Sequence, residues 1–503
     1  MLITLDGRET LQRQVYRAVR AQILAGQLGP GTRLPTTRGL SEQLGVSRNT
    51  VVAAYRQLTD EGYAVARTGS GSFVANTLPE QHLEGISAQL LGEAASDGSQ
   101  AGPDTAEPST PLSTRARRIG AVAPRRLGWE MPRHPVEIDF RYGEPGFADV
   151  PLETWWRLTA RRARRATARQ LGYGPRAGAP ELQRALAGYL ARARGVRCTP
   201  GQVLIVHGTQ QAIDLTIRTL VDPGDPVAVE EPGYFGITYA LLAHGARVRL
   251  IPVDRQGMPF DALVAAGAVR GIFVTPSHQF PTGGILPLRR RLALLEHAAH
   301  MGAFVFEDDY DGEYRYDGRP IESLQGLDPA GRVLYAGSAS KLLFPALRIG
   351  WLVVPEELVD PFQQAKALCD TGSPGLDQLV LADFIEEGHL ERYIRRARLC
   401  HAARREALAE AVARYLGEAA HLEGTGAGVH GLLWLPDVPA DRQAEVRRAC
   451  ARRSVGVYPV RPHYRNPPPR AGFVLGFAGL EPPAITEGIA RLAQAIDEVM
   501  GHA

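Results

Sequence analysis

The sequence predicts an α/β protein with a mostly parallel sheet, preceded by a small helical module. Three observations carry this reading. From Ile138 onward, short β-rich runs alternate with longer helical runs, the pattern of a sheet covered by helices. The N-terminal stretch repeats helical spacing instead and closes on a glycine-rich hairpin. Between the two, from Leu78 to about Pro135, periodicity fades, and Glu93 to Asp104 is small, polar and acidic, as flexible spacers are. The expected division is a module over 1–77, a flexible linker over 78–135 and a large domain over 136–503. A chain of 503 residues is too long for one ordinary core.

Composition narrows the classes. The net charge of +3 excludes a uniformly basic nucleic-acid coat but leaves room for a local basic face. No apolar run approaches the roughly 18 residues of a membrane span. The start, Met1 to Asp6, lacks the basic and apolar regions of a secretory signal, so a cytoplasmic protein is expected. Cys198, Cys369, Cys400 and Cys450 are far apart and show no metal-ligand spacing. They read as buried or free thiols in a reducing compartment, and no metal site is expected.

In the module, Leu11, Val15, Val19 and Ile23 mark one helix face, ended by Gly26 and Gly29-Pro30-Gly31. A second helix follows Leu34-Pro35 with a threonine start signal. Gly45-Val46-Ser47 turns the chain, and Ser47 can N-cap a third helix from Arg48 to Leu58. Two short helices joined by a glycine-containing turn make a helix-turn-helix. Its second helix presents Arg48, Asn49 and Thr50 to a major groove. Ala64 to Val74 reads as two strands around a glycine-rich tip, a wing that places Arg67 for phosphate or minor-groove contact.

The order of helix, Pro-Gly turn, helix, Gly turn, helix and Gly-rich hairpin resembles the GntR-type winged-helix domain over roughly residues 8–77. The matching positions are Leu34-Pro35, Arg38, Ser47-Arg48-Asn49-Thr50 and Gly69-Ser70-Gly71. The resemblance implies DNA contacts from Arg38, Arg48, Asn49, Thr50, Thr68 and Gly69, and Ser47 and Arg67 join them as candidate DNA-binding residues.

In the large domain, strands are expected at 202–207, 226–230, 247–251, 271–275, 303–308 and 333–335. Gly208-Thr209-Gln210 follows the first of these and opens a helix whose N-terminal amides suit a phosphate. Sites in such sheets lie at the carboxyl ends of strands. The strand Phe304 to Asp308 delivers acids there, and Asp308 is the residue chosen to meet a protonated pyridine nitrogen. Alone, such an acid pair more often caps a helix or binds a cation.

The stretch Gly337 to Gly350 holds Lys341, one of only two lysines in an arginine-rich chain, the other being Lys366. Arginine cannot release its proton, whereas a desolvated lysine can, and can then form a Schiff base. Lys341 is therefore read as the covalent anchor of pyridoxal 5′-phosphate. Ser338 and Arg348 are close enough in sequence to meet the phosphate of the same cofactor.

Together, Tyr173-Gly174-Pro175, Gly208-Thr209-Gln210, Glu231-Pro232-Gly233-Tyr234, Thr275 to Gly283, Glu307-Asp308-Asp309-Tyr310 and Ser338-Ala339-Ser340-Lys341 resemble a fold-type I aminotransferase. That likeness covers about residues 136–500 and implies a smaller C-terminal α+β subdomain. It implies Tyr234 stacked on the cofactor ring, Tyr310 and His278 at its phenolic oxygen, and Tyr173 reaching the phosphate in a neighbouring subunit. Phosphate contacts would fall on Gly208, Thr209, Gln210, Ser338, Ser340 and Arg348.

With the winged helix in front, the whole chain resembles the MocR/GabR-type transcriptional regulators. The resemblance implies a domain-swapped homodimer that binds a double-stranded operator and senses a small amino compound or pyridoxal phosphate. A working aminotransferase with an appended DNA-binding domain is the alternative. Two departures stand out. The last strand, Phe473 to Phe477, lacks the arginine that often holds a substrate carboxylate, so Arg461, then Arg465, are the expected effector ligands. Gly236 stands where some members carry an arginine for a distal acid.

Overall fold

A computed structural model describes residues 9–67, 69–78, 112–122, 136–316, 322–466, 468 and 470–501. The chain divides into two compact units, Met1–Ser109 and Thr110–Ala503.

In the first unit, α1 (Leu11–Leu24), α2 (Thr37–Leu44) and α3 (Arg48–Asp60) precede the antiparallel hairpin β1 (Ala64–Arg67) and β2 (Gly71–Val74). The helix boundaries have local causes. The Thr36 side chain accepts from Gly39 N–H to start α2, and Gly45, at φ 65°, ends it in the left-handed region. Ser47 Oγ accepts from Thr50 N–H at 3.1 Å to start α3. The apolar faces of the helices meet in one core of Val15, Val19, Ile23, Leu40, Val51, Tyr55 and Leu58.

In the second unit, Thr114–Val122 forms helix α4 inside the stretch read as linker, and it packs on the helix Phe235–His244. Most of the remaining linker lies outside the described residues. The main sheet has seven strands: β3 (Val203–Val206), β4 (Pro226–Glu231), β5 (Arg247–Pro252), β6 (Gly271–Val274), β7 (Phe304–Asp308), β8 (Val333–Ser338) and β9 (Gly350–Val353). Their spatial order is β3-β9-β8-β7-β6-β4-β5. Only β9, absent from the sequence expectation, runs antiparallel to its neighbours. It places Gly350 opposite both Val206 and Ser338. A Cβ on Gly350 would stand 2.8 Å from Gly208 Cα, so the absence of a side chain lets the ends of β3 and β8 close together.

Three helices matter for the site: α5 (Thr209–Leu220), α6 (Phe235–His244) and α7 (Val359–Asp370). All strands of the main sheet but the edge strand β5 are buried on both faces, in separate apolar clusters, as a sheet sandwiched by helices requires. A second, antiparallel sheet follows, with β10 (His421–Glu423), β11 (His430–Leu435), β12 (Tyr458–Pro459) and β13 (Ala471–Gly476) in the order β10-β11-β13-β12. Helices His389–Tyr415 and Pro482–Met500 bury Leu408, Ile485, Ile489 and Leu492 with its Leu433, Phe473 and Leu475. Among the described residues, no helix is long and apolar enough to cross a membrane.

Candidate functional site

The carboxyl ends of β3, β7 and β8 open into a cavity of about 350 Å³. Gly208, Thr209, Gln210, Tyr234, Asp308, Tyr310, Ser338, Ser340, Lys341 and Arg348 all line it. Residues far apart in sequence meet here because parallel strands bring their ends to one edge.

One corner is built for an anion. The N-terminus of α5 points its free amides at the cavity. Gly208, at φ 82°, makes the turn into that helix. Arg348, also left-handed at φ 51°, donates from Nη2 to the His207 carbonyl at 2.6 Å. A Cβ on Gly208 would lie 3.4 Å from the same Nη2. Ser338 Oγ accepts from Ser340 N–H at 3.1 Å and sits across the same corner.

The floor separates two adjacent acids. Asp309 accepts from Arg194 Nε at 2.6 Å, Arg194 Nη2 at 3.0 Å and Tyr335 OH at 2.6 Å. Burial works against its charge, but Arg194 holds its carboxyl below the ordinary range. Asp308 faces the other way, is 5% exposed, and its buried Oδ1 has no hydrogen-bond partner. Burial, helped by the neighbouring Asp309 charge and opposed by Lys341, pushes its pKa to about 8. Burial also lowers the pKa of Lys341, against the opposing pull of Asp308 and Asp311. An amine held nearer neutrality is a better nucleophile.

The walls are aromatic. Tyr234 OH donates to Gln210 Oε1 at 3.1 Å, and Gln210 Nε2 donates to the Gly236 carbonyl at 3.3 Å. A Cβ on Gly236 would stand 2.5 Å from Tyr234 Cε1, so this ring takes the space that a side chain at 236 needs.

Several expected residues lie elsewhere. His278 is not on the cavity wall; it is buried behind Tyr310, whose OH is 3.0 Å from its Nδ1. The same Nδ1 is 3.0 Å from Asp311 Oδ2, while Nε2 donates to the Gly424 carbonyl at 3.0 Å. Burial opposes a charge on this ring, yet Asp311 raises its pKa. Tyr173 stands outside the cavity, 95% exposed. Arg461 and Arg465 do not line the cavity either. Arg461 Nη1 donates to the Tyr464 carbonyl at 2.8 Å, and the backbone N–H of Arg465 donates to Glu231 Oε1 at 2.8 Å. From that loop it is His463 that reaches the wall, with Nε2 3.1 Å from Tyr142 OH.

Tyr142, Glu144, Phe280, His430 and His463 also line the cavity, and the sequence reading gives none of them a role there. Tyr142 and Glu144 follow the short strand Ile138–Asp139 in Tyr142-Gly143-Glu144-Pro145, a turn signal that could have drawn notice. The histidines come from the second sheet and its loop, and no local signal marks them.

In the first unit, the start of α3 is open to solvent. Arg48 and Asn49 are exposed, and Thr50 is half-buried with Oγ1 2.8 Å from Ser47 Oγ. Arg38 is exposed, its Nε 3.1 Å from Glu42 Oε1. In the wing, the Arg67 guanidinium lies 4.8 Å from the centroid of the Phe73 ring, and Gly69 takes φ 74° at the tip. Thr68 falls outside the described residues.

Comparison with known proteins agrees with this division. Residues 136–489 match the family described as aminotransferase class I and II, and residues 11–74 match the gntR family of bacterial regulatory proteins. The chain is 38% identical to the probable rhizopine catabolism regulatory protein MocR of Rhizobium meliloti, over 98% of this chain and 95% of that one. It is 33% identical to the HTH-type transcriptional regulator TauR of Rhodobacter capsulatus, over 97% of both. Among solved structures, it is similar to LysN, an α-aminoadipate aminotransferase of Thermus thermophilus complexed with N-(5′-phosphopyridoxyl)-L-leucine. That likeness has a TM-score of 0.70 at 28% identity and covers 78% of this chain and 98% of LysN.

Proposed function

The chain belongs to the MocR/GabR-type transcriptional regulators, a gntR-family domain ahead of an aminotransferase class I and II domain, and from this premise we propose that its regulation runs through pyridoxal 5′-phosphate. The aminotransferase family is built around that cofactor. One observation carries the reading for this chain: Asp308 Oδ1 is buried without a partner in a cavity that also holds Lys341. A lone buried carboxylate oxygen calls for a cation, and a protonated pyridine nitrogen is one.

The residues fit the rest of the cofactor. Lys341 holds it covalently. The α5 amides, Gly208, Thr209, Gln210, Ser338, Ser340 and Arg348 receive its phosphate. Tyr234 packs on its ring, and Tyr310 meets its phenolic oxygen. His278 acts on that oxygen through Tyr310. When bound, the cofactor supplies an aldehyde that captures primary amines. A small amino compound entering the cavity competes with Lys341 for it. Effector binding shifts the protein between two domain arrangements that differ in affinity for the amine, and DNA affinity changes with that shift. For Arg461 to hold an acid group of that effector, its guanidinium must first leave the Tyr464 carbonyl.

DNA is read by Arg38, Ser47, Arg48, Asn49, Thr50, Arg67, Thr68 and Gly69. The regulator acts in the cytoplasm as a domain-swapped homodimer, whose two winged helices address two half-sites. The exposure of Tyr173 supports a role for that side chain in the partner's site.

A second reading, slow transamination, is supported by the lowered pKa of Lys341 and the likeness to LysN. The test is direct. Load the full chain with pyridoxal phosphate, reduce with borohydride, and map the added mass. Separately measure turnover with amino acids and a keto acid, and binding to the DNA upstream of its own gene. Added mass on Lys341, tight operator binding and little turnover are expected. No mass on Lys341 overturns the cofactor reading; high turnover without specific DNA binding favours the enzyme.

A further inference from the structure

Lys366, the chain's other lysine, is on α7 with its side chain fully buried. Each of its three ammonium donors has an acceptor at hand. Asp370 Oδ1 lies at 2.9 Å, Asp370 Oδ2 at 3.0 Å and Ser373 Oγ at 3.0 Å. A compact ammonium with three rotatable donors suits this enclosed group of acceptors; the wide planar fork of arginine does not. A buried charge pair is weak evidence for stability, because desolvation offsets the attraction. Its purpose here is better sought in what it holds.

Asp370 carries the link onward. Its Oδ2 accepts from Gln211 Nε2 at 2.9 Å, with His207 Nε2 3.4 Å away. Gln211 Oε1 accepts from the His207 backbone N–H at 2.7 Å. The His207 carbonyl in turn accepts from Arg348 Nη2 at 2.6 Å. An unbroken path of polar contacts therefore runs from a buried ammonium on α7, through the first turn of α5, to a guanidinium on the cavity wall. The path crosses the turn between β3 and α5. There Gly208 has φ 82°, and Arg348 is a non-glycine residue at φ 51°. Left-handed backbone at a side-chain-bearing residue persists where its surroundings over-determine it. Lys366, Asp370 and Gln211 are not among the cavity-lining residues, so they act only through this turn.

We infer that Lys366, Asp370 and Gln211 are positioning residues for an anion cradle: they fix the His207–Gly208 turn and Arg348 so that the α5 amides and the guanidinium converge on one phosphate. The inference deepens the proposed function and rests on its reading that this corner receives the cofactor's phosphate. It also explains why a lysine stands at 366 in a chain that uses arginine almost everywhere else.

The experiment compares pyridoxal 5′-phosphate with pyridoxal, which lacks the phosphate, as ligands of the full-length wild type, Lys366→Met and Gln211→Met. Affinities come from equilibrium titration of the visible absorbance, and folding is checked by circular dichroism. Gln211→Met leaves the Lys366–Asp370 pair intact, so it keeps the test valid where Lys366→Met fails to fold. Each folded variant is expected to bind the phosphate ester about tenfold more weakly while pyridoxal changes by about twofold or less. A purely packing role lowers both affinities alike and leaves their ratio unchanged. That result, or an unchanged ratio in Gln211→Met, overturns the inference. If the wild type itself does not prefer the phosphate ester, the assignment of the corner to the cofactor's phosphate falls instead.

Discussion

The two units handle charge in opposite ways. In the N-terminal unit the candidate recognition side chains stand in water: Arg48 and Asn49 are exposed, and the Arg38 side chain is 82% exposed. In the C-terminal unit the candidate chemical groups are withdrawn from water, with Asp308 carried to a pKa of about 8 by burial. The contrast follows from the ligands. A DNA duplex brings its own dense charge, so solvated donors on a rigid helix are enough to meet it. A small amine or cofactor gains most from partners that have already been desolvated. The helix-turn-helix thus depends on small, separable contributions, whereas the cavity depends on a few groups whose loss is severe.

If that contrast holds, removing a DNA-facing side chain leaves cofactor uptake alone, removing a cavity group leaves the apo protein's operator affinity alone, and the size of each loss follows burial. The largest effect belongs to Lys341→Ala. It should abolish borohydride-fixed cofactor altogether, read by intact mass, with an unchanged circular dichroism spectrum. Asp308→Asn comes next, weakening pyridoxal phosphate about tenfold to a hundredfold in an equilibrium titration. It also has a pH signature in the apo protein. The folded pKa of Asp308 is raised, so the folded state holds that proton more tightly than the unfolded state. Its contribution to stability is full below the ordinary carboxyl range, falls as pH rises, and is gone above about pH 8. Asparagine does not ionise. The Tm advantage of Asp308→Asn over wild type should therefore grow through that window and level off above it.

Effects in the N-terminal unit are smaller. Arg48→Ala should weaken operator binding about tenfold, the cost of one side chain to base or phosphate. Cofactor uptake should not change; loss of both would erase the distinction between the units. The smallest effect is Ser47→Ala, which removes the 3.1 Å cap on Thr50 N–H. It should cost about 1 kcal/mol in the denaturation of the N-terminal unit alone.

What the sequence made legible tracks how local each feature is. Thr36 and Ser47 announce their helices because a cap concerns only the next three residues. Ser338, Lys341 and Arg348 were read together because one short stretch carries them all. Five of the six anticipated strands stand out because they are buried along almost their whole length, whereas Arg247–Pro252, at the sheet edge, shows itself by alternating charged and apolar residues. Strand β9 hid because it directly abuts the lysine stretch, with no turn signal to set it apart. Helix α4 hid because it buries none of its residues, so it leaves no strong apolar stripe. His278 was expected on the wall, but its pairing with Asp311 and the Gly424 carbonyl holds it behind Tyr310. The positions of His430 and His463 are likewise tertiary outcomes.

The most direct test of the account joins the units. Operator affinity of the full-length protein is titrated in the apo form, with pyridoxal phosphate, and with pyridoxal phosphate plus a panel of small primary amines, in wild type and in Lys341→Ala. The account predicts a shift of about fivefold or more between wild-type states, within the usual range of coupling between sites, and none in Lys341→Ala. One affinity in every wild-type state, or a shift that survives without the lysine, would contradict it.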